Sequence, residues 1–553
     1  MSQTDWSRFV SSFLEEYFEQ NPSIAANVGR HEFDGRLPDW SGEGLSRKIA
    51  WLREQRAAAV TFGPEDLDPL RRLERAHLIA QIDSELFWLT DAEMPWRNPI
   101  FYAYPLDPAI YLTREYAPLE KRMRSFIDYA RAVPRAAEQI RANLRTSAES
   151  PMPRALAHVG LQTLGGLADY FEKDVPPVFA AVTDPVLQED LRAAIPGAAA
   201  AMRDLGAWFA QLEAEGSDDT EGFALGAERY RRMLRDSERV DVPLDVLEDA
   251  GRRELERNLT ALREACAALD PALSVEECMA RVTAEKPADG PVEAARRQLA
   301  GLREFLEAQE LATIPGEEQA LIREAPAYQR WNSAFIDIPG PYERHLPSIY
   351  YISPPDPAWS AEERAAYIPG EADLLFVTIH EVWPGHFLQF LHSNRAESEI
   401  SRLFVSYGYA EGWAHYSEEL MWETGFCGDD PRLRIGQLQN ALLRNVRYLV
   451  ALGLHTGGLT LAEAERMFRE QAFQDAASAR QQAARGAFDP AYLNYTLGKL
   501  MVRKLRSDWT AGRADLEQRA AWRDFHDRFL ALGGPPIPLL RTHLLGEDGG
   551  EVL

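Results

Sequence analysis

A histidine–glutamate pair, a second histidine and a later glutamate are the residues of this chain best equipped for chemistry. His380, Glu381 and His386 stand in Ile-His-Glu-Val-Trp-Pro-Gly-His-Phe, and Glu411 in Tyr-Ala-Glu-Gly-Trp-Ala-His-Tyr-Ser-Glu-Glu. Two imidazoles and a carboxylate are ligand types that Zn2+ takes when one position is left open for water. A carboxylate beside the first histidine is then placed to accept a proton from that water. The expected chemistry is zinc-dependent hydrolysis, with His380, His386 and Glu411 as the metal set and Glu381 as the base.

The spacing is irregular. The familiar zinc signature has its histidines four apart, on one helical face. Here position 384 is proline and the next histidine is 386. Six residues of ideal helix turn through ~600°, leaving the two side chains ~120° apart. Pro384 has no N–H to give to the His380 carbonyl, and its ring crowds that carbonyl. Gly385 takes conformations that other residues avoid. A kink or loop-out is therefore expected between His380 and His386, one that returns His386 to the face of His380.

Glu411 shares a helical face with His415 and Glu418, four and seven residues on. Tyr407, Trp413 and Tyr416 accompany them, so this helix reads as buried. His415 fits a ligand, a partner of a ligand, or a core histidine. Tyr495 and His455 are candidates for stabilising an oxyanion. His455 also fits a helix C-terminal role, with Gly457 and Gly458 just after it. Arg444 and Arg447 lie on the same helix as His455, and Tyr492 precedes Tyr495.

These residues need a scaffold, and the chain has material for one. It has 553 residues, a net charge of −26 and 46% hydrophobic residues. That length suits two to four domain-sized units or one large helical body. The acidic balance argues against nucleic acid, which demands clustered Lys and Arg, and against an anionic membrane surface. Cys266, Cys278 and Cys427 make no disulfide framework, read as buried apolar residues, and fit a reducing compartment. The start, Met-Ser-Gln-Thr-Asp-Trp-Ser-Arg-Phe-Val, does not read as a signal peptide, and no stretch is apolar and long enough to span a bilayer. A cytoplasmic location is the expectation.

Helical periodicity dominates. Phe9, Val10, Phe13, Leu14 and Tyr17 form a stripe that Asn21-Pro22 stops. Similar patterns cover 44–62, 66–90, 117–148, 187–215, 243–269 and 289–311. Proline and glycine punctuate 312–358, where Ser348–Ile352 reads as a short strand. An edge strand there could pair with an extended peptide. Helices resume over 371–395, 398–424, 431–455 and 489–508. The expected organisation is a mainly helical part over 1–330 and a catalytic part over 331–553, either separated by a cleft or fused in one body.

At His380-Glu381-x-x-Pro384-Gly385-His386 and Gln389 the chain resembles the bacterial domain-of-unknown-function family numbered 885. Asn21-Pro22…Gly29-x-His31…Asp34-x-Arg36-Leu37-Pro38-Asp39 is similar to that family's start. Glu411-Gly412-Trp413-Ala414-x-Tyr416-x-Glu418, Gly453-Leu454-His455 and Tyr495-x-x-Gly498 resemble its later motifs. The second motif also resembles the Asn-Glu-Gly-Phe-Ala stretch of gluzincin aminopeptidases. The resemblance implies a zincin-type metallopeptidase, with zinc on His380, His386 and Glu411 and Glu381 as base. The chain departs from the pattern at Phe387, where a second histidine is usual, at Ala451, near which the family has an aspartate, and at His415, usually apolar.

The combined expectation is a mostly α, zincin-like protein with a small β element, cleaving a peptide or small amide. Two alternatives stay open: a helical binding protein with a structural or vestigial metal, and a zinc hydrolase of non-peptide amides or esters. The sequence does not indicate an oligomeric state.

Overall fold

The apolar stripe near the start becomes the buried face of α1 (Gln3–Gln20), with Val10, Phe13, Leu14, Tyr17 and Phe18 inside. The computed structural model describes residues 3–147, 151–217, 222–326, 333–343, 345–357, 359–513, 517–546 and 551–553. Phe13 stacks on Trp51 of α2 (Gly42–Val60) with ring centroids 5.2 Å apart. α3 (Pro69–Leu86) starts where Asp68 accepts from the Arg71 N–H and Pro69 fills the first turn. A proline is harmless there because its missing N–H has no helical partner anyway. α4 (Leu119–Asn143) packs along α5 (Pro185–Glu215), which Asp184 caps in the same way.

These helices belong to the first of two compact units, Met1–Asp236 with Pro339–Leu346. The second comprises Ser237–Ile338 and Pro347–Leu553. The expected break near 330 touches 327–332, which lie outside the described residues. The units instead divide within the last turn of helix Ala227–Glu238. The returning segment is held in the first unit by hydrogen bonds. The Tyr342 N–H donates to the Val28 carbonyl at 3.0 Å. Glu343 lies 2.9 Å from Nε2 of His31, whose Nδ1 is 3.1 Å from Asp34. Burial opposes charge on His31, yet the two carboxylates carry its pKa up to about 9.

The second unit holds the sheet. β1 (Ala320–Glu324) runs parallel to β3 (Ser348–Ile352), and β2 (Ala334–Asp337) antiparallel to it, giving the order β1-β3-β2. All five residues of β3 are buried. The sequence marks only β3 and reads it as an edge able to take a peptide. It is the central strand, hydrogen-bonded on both sides, and β1 and β2 are the outer strands.

Helices carry the rest of the unit. α6 (Leu244–Leu269) meets α10 (Pro431–Thr456) through the Tyr448 hydroxyl, which donates to the Leu247 carbonyl, and an Asn258–Asn445 bond. Between them in sequence come α7 (Glu371–Glu381), α8 (His386–Ser393) and α9 (Tyr407–Glu423). After α10 come α11 (Ala476–Phe488) and α12 (Asn494–Ala511). α9 and α12 cross backbone against backbone. A Cβ on Gly498 would lie 2.0 Å from the Gly408 carbonyl oxygen and 2.6 Å from the Gly412 Cα. Beside the crossing, fully buried Lys499 reaches Glu254 at 2.6 Å and Glu419 at 2.9 Å. Arg257 bonds both carboxylates, so α6, α9 and α12 share one ionic knot.

The glycine crossing leads to a first prediction. Gly498→Ala forces α9 and α12 apart, at a cost of ~1–3 kcal/mol or more, as overpacking does. Gly301→Ala, on an exposed helix position with nothing within 4 Å, leaves stability unchanged or raised. Thermal melts of both variants beside the parent check this. Equal melting of Gly498→Ala and the parent would refute the tight crossing.

Candidate metal centre

The expected irregularity between His380 and His386 is a full break, not a bulge. α7 ends at Glu381, Val382 leaves the helix at φ −121° and ψ −80°, and α8 starts afresh at His386. The Gly385 N–H turns back to the Ile379 carbonyl at 3.0 Å. A Cβ on Gly385 would sit 1.9 Å from the His380 carbonyl oxygen and 2.4 Å from that of Ile379. Only glycine allows that approach. The Pro384 carbonyl, left without a helical partner, accepts from the Trp413 indole at 2.8 Å. The turn is thereby tied to α9, the helix that carries Glu411.

The result is convergence. His380 Nε2 lies 3.2 Å and His386 Nε2 3.5 Å from Oε2 of Glu411. The ligand atoms of the three residues all fall within 4.8 Å of one another, the one such group of His, Cys, Asp or Glu among the described residues. The Glu411 Oε2 is buried and makes no well-directed hydrogen bond, although two imidazoles are close. Burial opposes its charge, but the two histidines hold its pKa well below the carboxylate range.

Behind His380 stands Glu418, fully buried, with Oε1 2.7 Å from His380 Nδ1. A carboxylate only accepts, so Nδ1 carries a proton toward Glu418 and the ring turns Nε2 toward Glu411. This is how ligating histidines are commonly oriented. Arg444 lies 3.0 Å from the same Glu418 oxygen, and His415 Nδ1 3.3 Å from the other. Burial opposes ionisation of Glu418, but Arg444 and the histidines pull its pKa far down. Burial lowers His415 to about 3, so it is neutral and sits behind the triad as a partner of Glu418. The i+7 spacing from Glu411 shows that Glu418 shares its face. Its pairing with His380 comes from tertiary packing alone.

Glu381 is partly exposed, and Oε2 accepts from the Ile336 N–H of β2 at 3.2 Å. Burial raises its pKa against the pull of His386 and His380. Nothing in the residue pattern marks β2 at this place. Tyr495 is also here, its ring 6.4 Å from that of His380, with burial raising its hydroxyl to about 12. His455 is elsewhere. Its Nε2 is 2.8 Å from the Gly486 carbonyl, so it ties α10 to α11. It stands eleven residues beyond Arg444, ~16 Å along the helix. The proposed oxyanion role for His455 is therefore dropped.

The fold and site define a mostly helical protein with a small mixed sheet and a His-His-Glu donor cluster at a helix break. The chain belongs to the bacterial family of unknown function DUF885, whose model matches residues 22–544. A candidate lipoprotein of unknown function from Shewanella oneidensis shares the fold, with a TM-score of 0.80 at 21% identity over 98% of this chain and 99% of its own. A candidate lipoprotein from Colwellia psychrerythraea gives 0.81 at 19% identity over the same shares. No curated protein matches. Among the described residues no helix is long and apolar enough to cross a membrane. The lipoprotein descriptions of these two relatives do not fit the expected cytoplasmic location.

The start of α9 has its own titrating anchor. Buried Glu238 accepts from the Ser406 hydroxyl and, at 3.1 Å, from the Gly408 N–H. Burial pushes its pKa up from 4.5 to about 7, despite those bonds. Between these values the native state holds a proton that the unfolded chain has released, so this group's contribution to stability falls as pH rises through the window. Glu238→Gln is expected to remove that part of the decline. Urea midpoints of variant and parent on both sides of the window check it, and parallel profiles would refute it.

Proposed function

We propose that this protein is a zinc-dependent hydrolase of the zincin type, cleaving a peptide bond or a similar amide. The carrying observation is the convergence of two imidazole Nε2 atoms on one buried, poorly hydrogen-bonded carboxylate oxygen. That donor set fits zinc, with His380, His386 and Glu411 as the holders. Bound there, the ion would supply a Lewis acid that polarises a carbonyl and makes water more acidic.

The chain's own residues divide the remaining work. Glu381 takes the proton of the attacking water and gives it to the leaving nitrogen. Its raised pKa suits it to both halves of that transfer. The Ile336 N–H of the outer strand β2 fixes the carboxylate. Tyr495 keeps its proton at neutral pH and can donate to a developing oxyanion. Glu418 holds His380 in one tautomer. A purely structural metal site would close all four positions, whereas three donors converge here among the described residues.

Two predictions test this reading. Elemental analysis of the purified protein should find about one zinc per chain, as a mononuclear site requires. His380→Ala should lose it, and full zinc in that variant would sink the assignment. Glu381→Gln should keep its zinc while hydrolysis of a mixed peptide panel falls by at least ~10²-fold, the low end for a lost general base. Unchanged turnover in the zinc-loaded variant would place the base elsewhere.

A further inference from the structure

One cluster next to the donor triad extends beyond the chemistry above. Tyr495, beside His380, also lies 5.0 Å from the guanidinium carbon of Arg447. Arg447 is 4.8 Å from the ring of Tyr492, and Arg485 is 4.5 Å from that same ring. Two arginines thus share one tyrosine within a short reach of the triad.

Their charges are poorly matched. Arg447 donates from Nε to Gln482 at 2.9 Å, and Gln482 also accepts from the Tyr492 hydroxyl. Among the described residues no carboxylate lies within ion-pair distance of Arg447, which is half-buried. Arg485 has one, Asp489, at 3.6 Å, and also lies 3.3 Å from the Tyr407 hydroxyl and 3.5 Å from that of Tyr495. Asp489 is itself engaged by the Tyr407 hydroxyl at 3.1 Å. Two guanidiniums face one carboxylate, in a chain with 86 acidic and 60 basic residues. An arginine pinned at Nε and stacked on aromatic rings offers its outer N–H groups as a rigid fork, the geometry that takes a carboxylate.

We propose that Arg447, supported by Arg485, docks the C-terminal carboxylate of a short peptide substrate. This rests on the hydrolase reading and narrows it to cleavage near a free C-terminus. His380 and Arg447 both lie against the Tyr495 ring, at 6.4 Å and 5.0 Å from its centroid. The docked carboxylate therefore belongs to a segment of about one to three residues beyond the cut bond, each residue spanning at most ~3.6 Å.

The test reads binding without turnover, in the Glu381→Gln protein. The probes are three equimolar tripeptide mixtures: free acids without Asp or Glu, their C-terminal amides, and amides containing Asp or Glu. Retention by ultrafiltration is quantified by mass spectrometry. The free acids should be held at least ~10-fold better than their amides, the worth of a hydrogen bond to a charged group. Adding Arg447→Gln should abolish the preference, Arg485→Gln should weaken it, and Arg447→Lys should keep part of it if the fold is intact. Equal retention of acids and amides, retention of none, or an undiminished preference in Arg447→Gln overturns the proposal. Stronger retention of the acidic amides moves the recognised carboxylate to a side chain and overturns the C-terminal assignment. The parent protein separates the two readings. An intact preference with no hydrolysis of any mixture overturns the hydrolase reading alone, whereas equal hydrolysis of acids and amides overturns the carboxylate site alone.

Discussion

The candidate centre depends on a backbone contact that admits no side chain. Gly385 presses against the carbonyl oxygens of Ile379 and His380, and a Cβ there would sit 1.9 Å from the latter. That contact lets the chain leave α7, reverse within four residues and start α8 at His386. Without it two histidines six apart would face different directions. The carbonyl freed by the reversal is not wasted, since the Trp413 indole accepts the duty of partner and donates to Pro384. The break in the helix thereby becomes an attachment between the two segments that must meet.

α9 is the hub to which the surrounding charges are fitted. One side carries Glu411, with Glu418 two turns on, both aimed at histidines. The next residue, Glu419, faces the Lys499–Glu254–Arg257 knot. Buried ion pairs are seldom a net gain, because desolvation offsets the attraction, but breaking one leaves an orphan charge. Such knots are therefore intolerant of partial repacking. The Gly408–Gly412–Gly498 crossing adds a steric constraint in the same place. Charge and shape both fix where α9 lies, and so where its carboxylates point.

Much of this was legible in the sequence, for identifiable reasons. Long helices such as 185–215 and 244–269 carry an apolar period with proline or capping residues at their starts. The donors were legible because zinc asks for few residue types, and Pro384-Gly385 announced a helix break. β1 and β2 were not legible. They are only five and four residues long, and Ala-Leu-Ile-Arg-Glu of β1 has no clear alternation. His455 misled because its glycine-rich surroundings look functional, whereas its partner is a backbone carbonyl on α11. The unit border was hidden because it falls inside a charged helix with no change of texture. The punctuation at 312–358 instead reflects the sheet and the segment that returns to the first unit.

That returning segment bears on how the protein is made. His31 leaves the ribosome well ahead of its partner Glu343, which follows 312 residues later. Domains tend to fold in order of synthesis, at ~5–20 residues per second. The first unit cannot follow that rule to completion, because its last eight residues, Pro339–Leu346, are made after Ser237–Ile338 of the second. For tens of seconds at the slower rate it exists as an unfinished body, with the charge of His31 only half answered. Nascent-chain handling of this protein is thus set by the eight residues Pro339–Leu346.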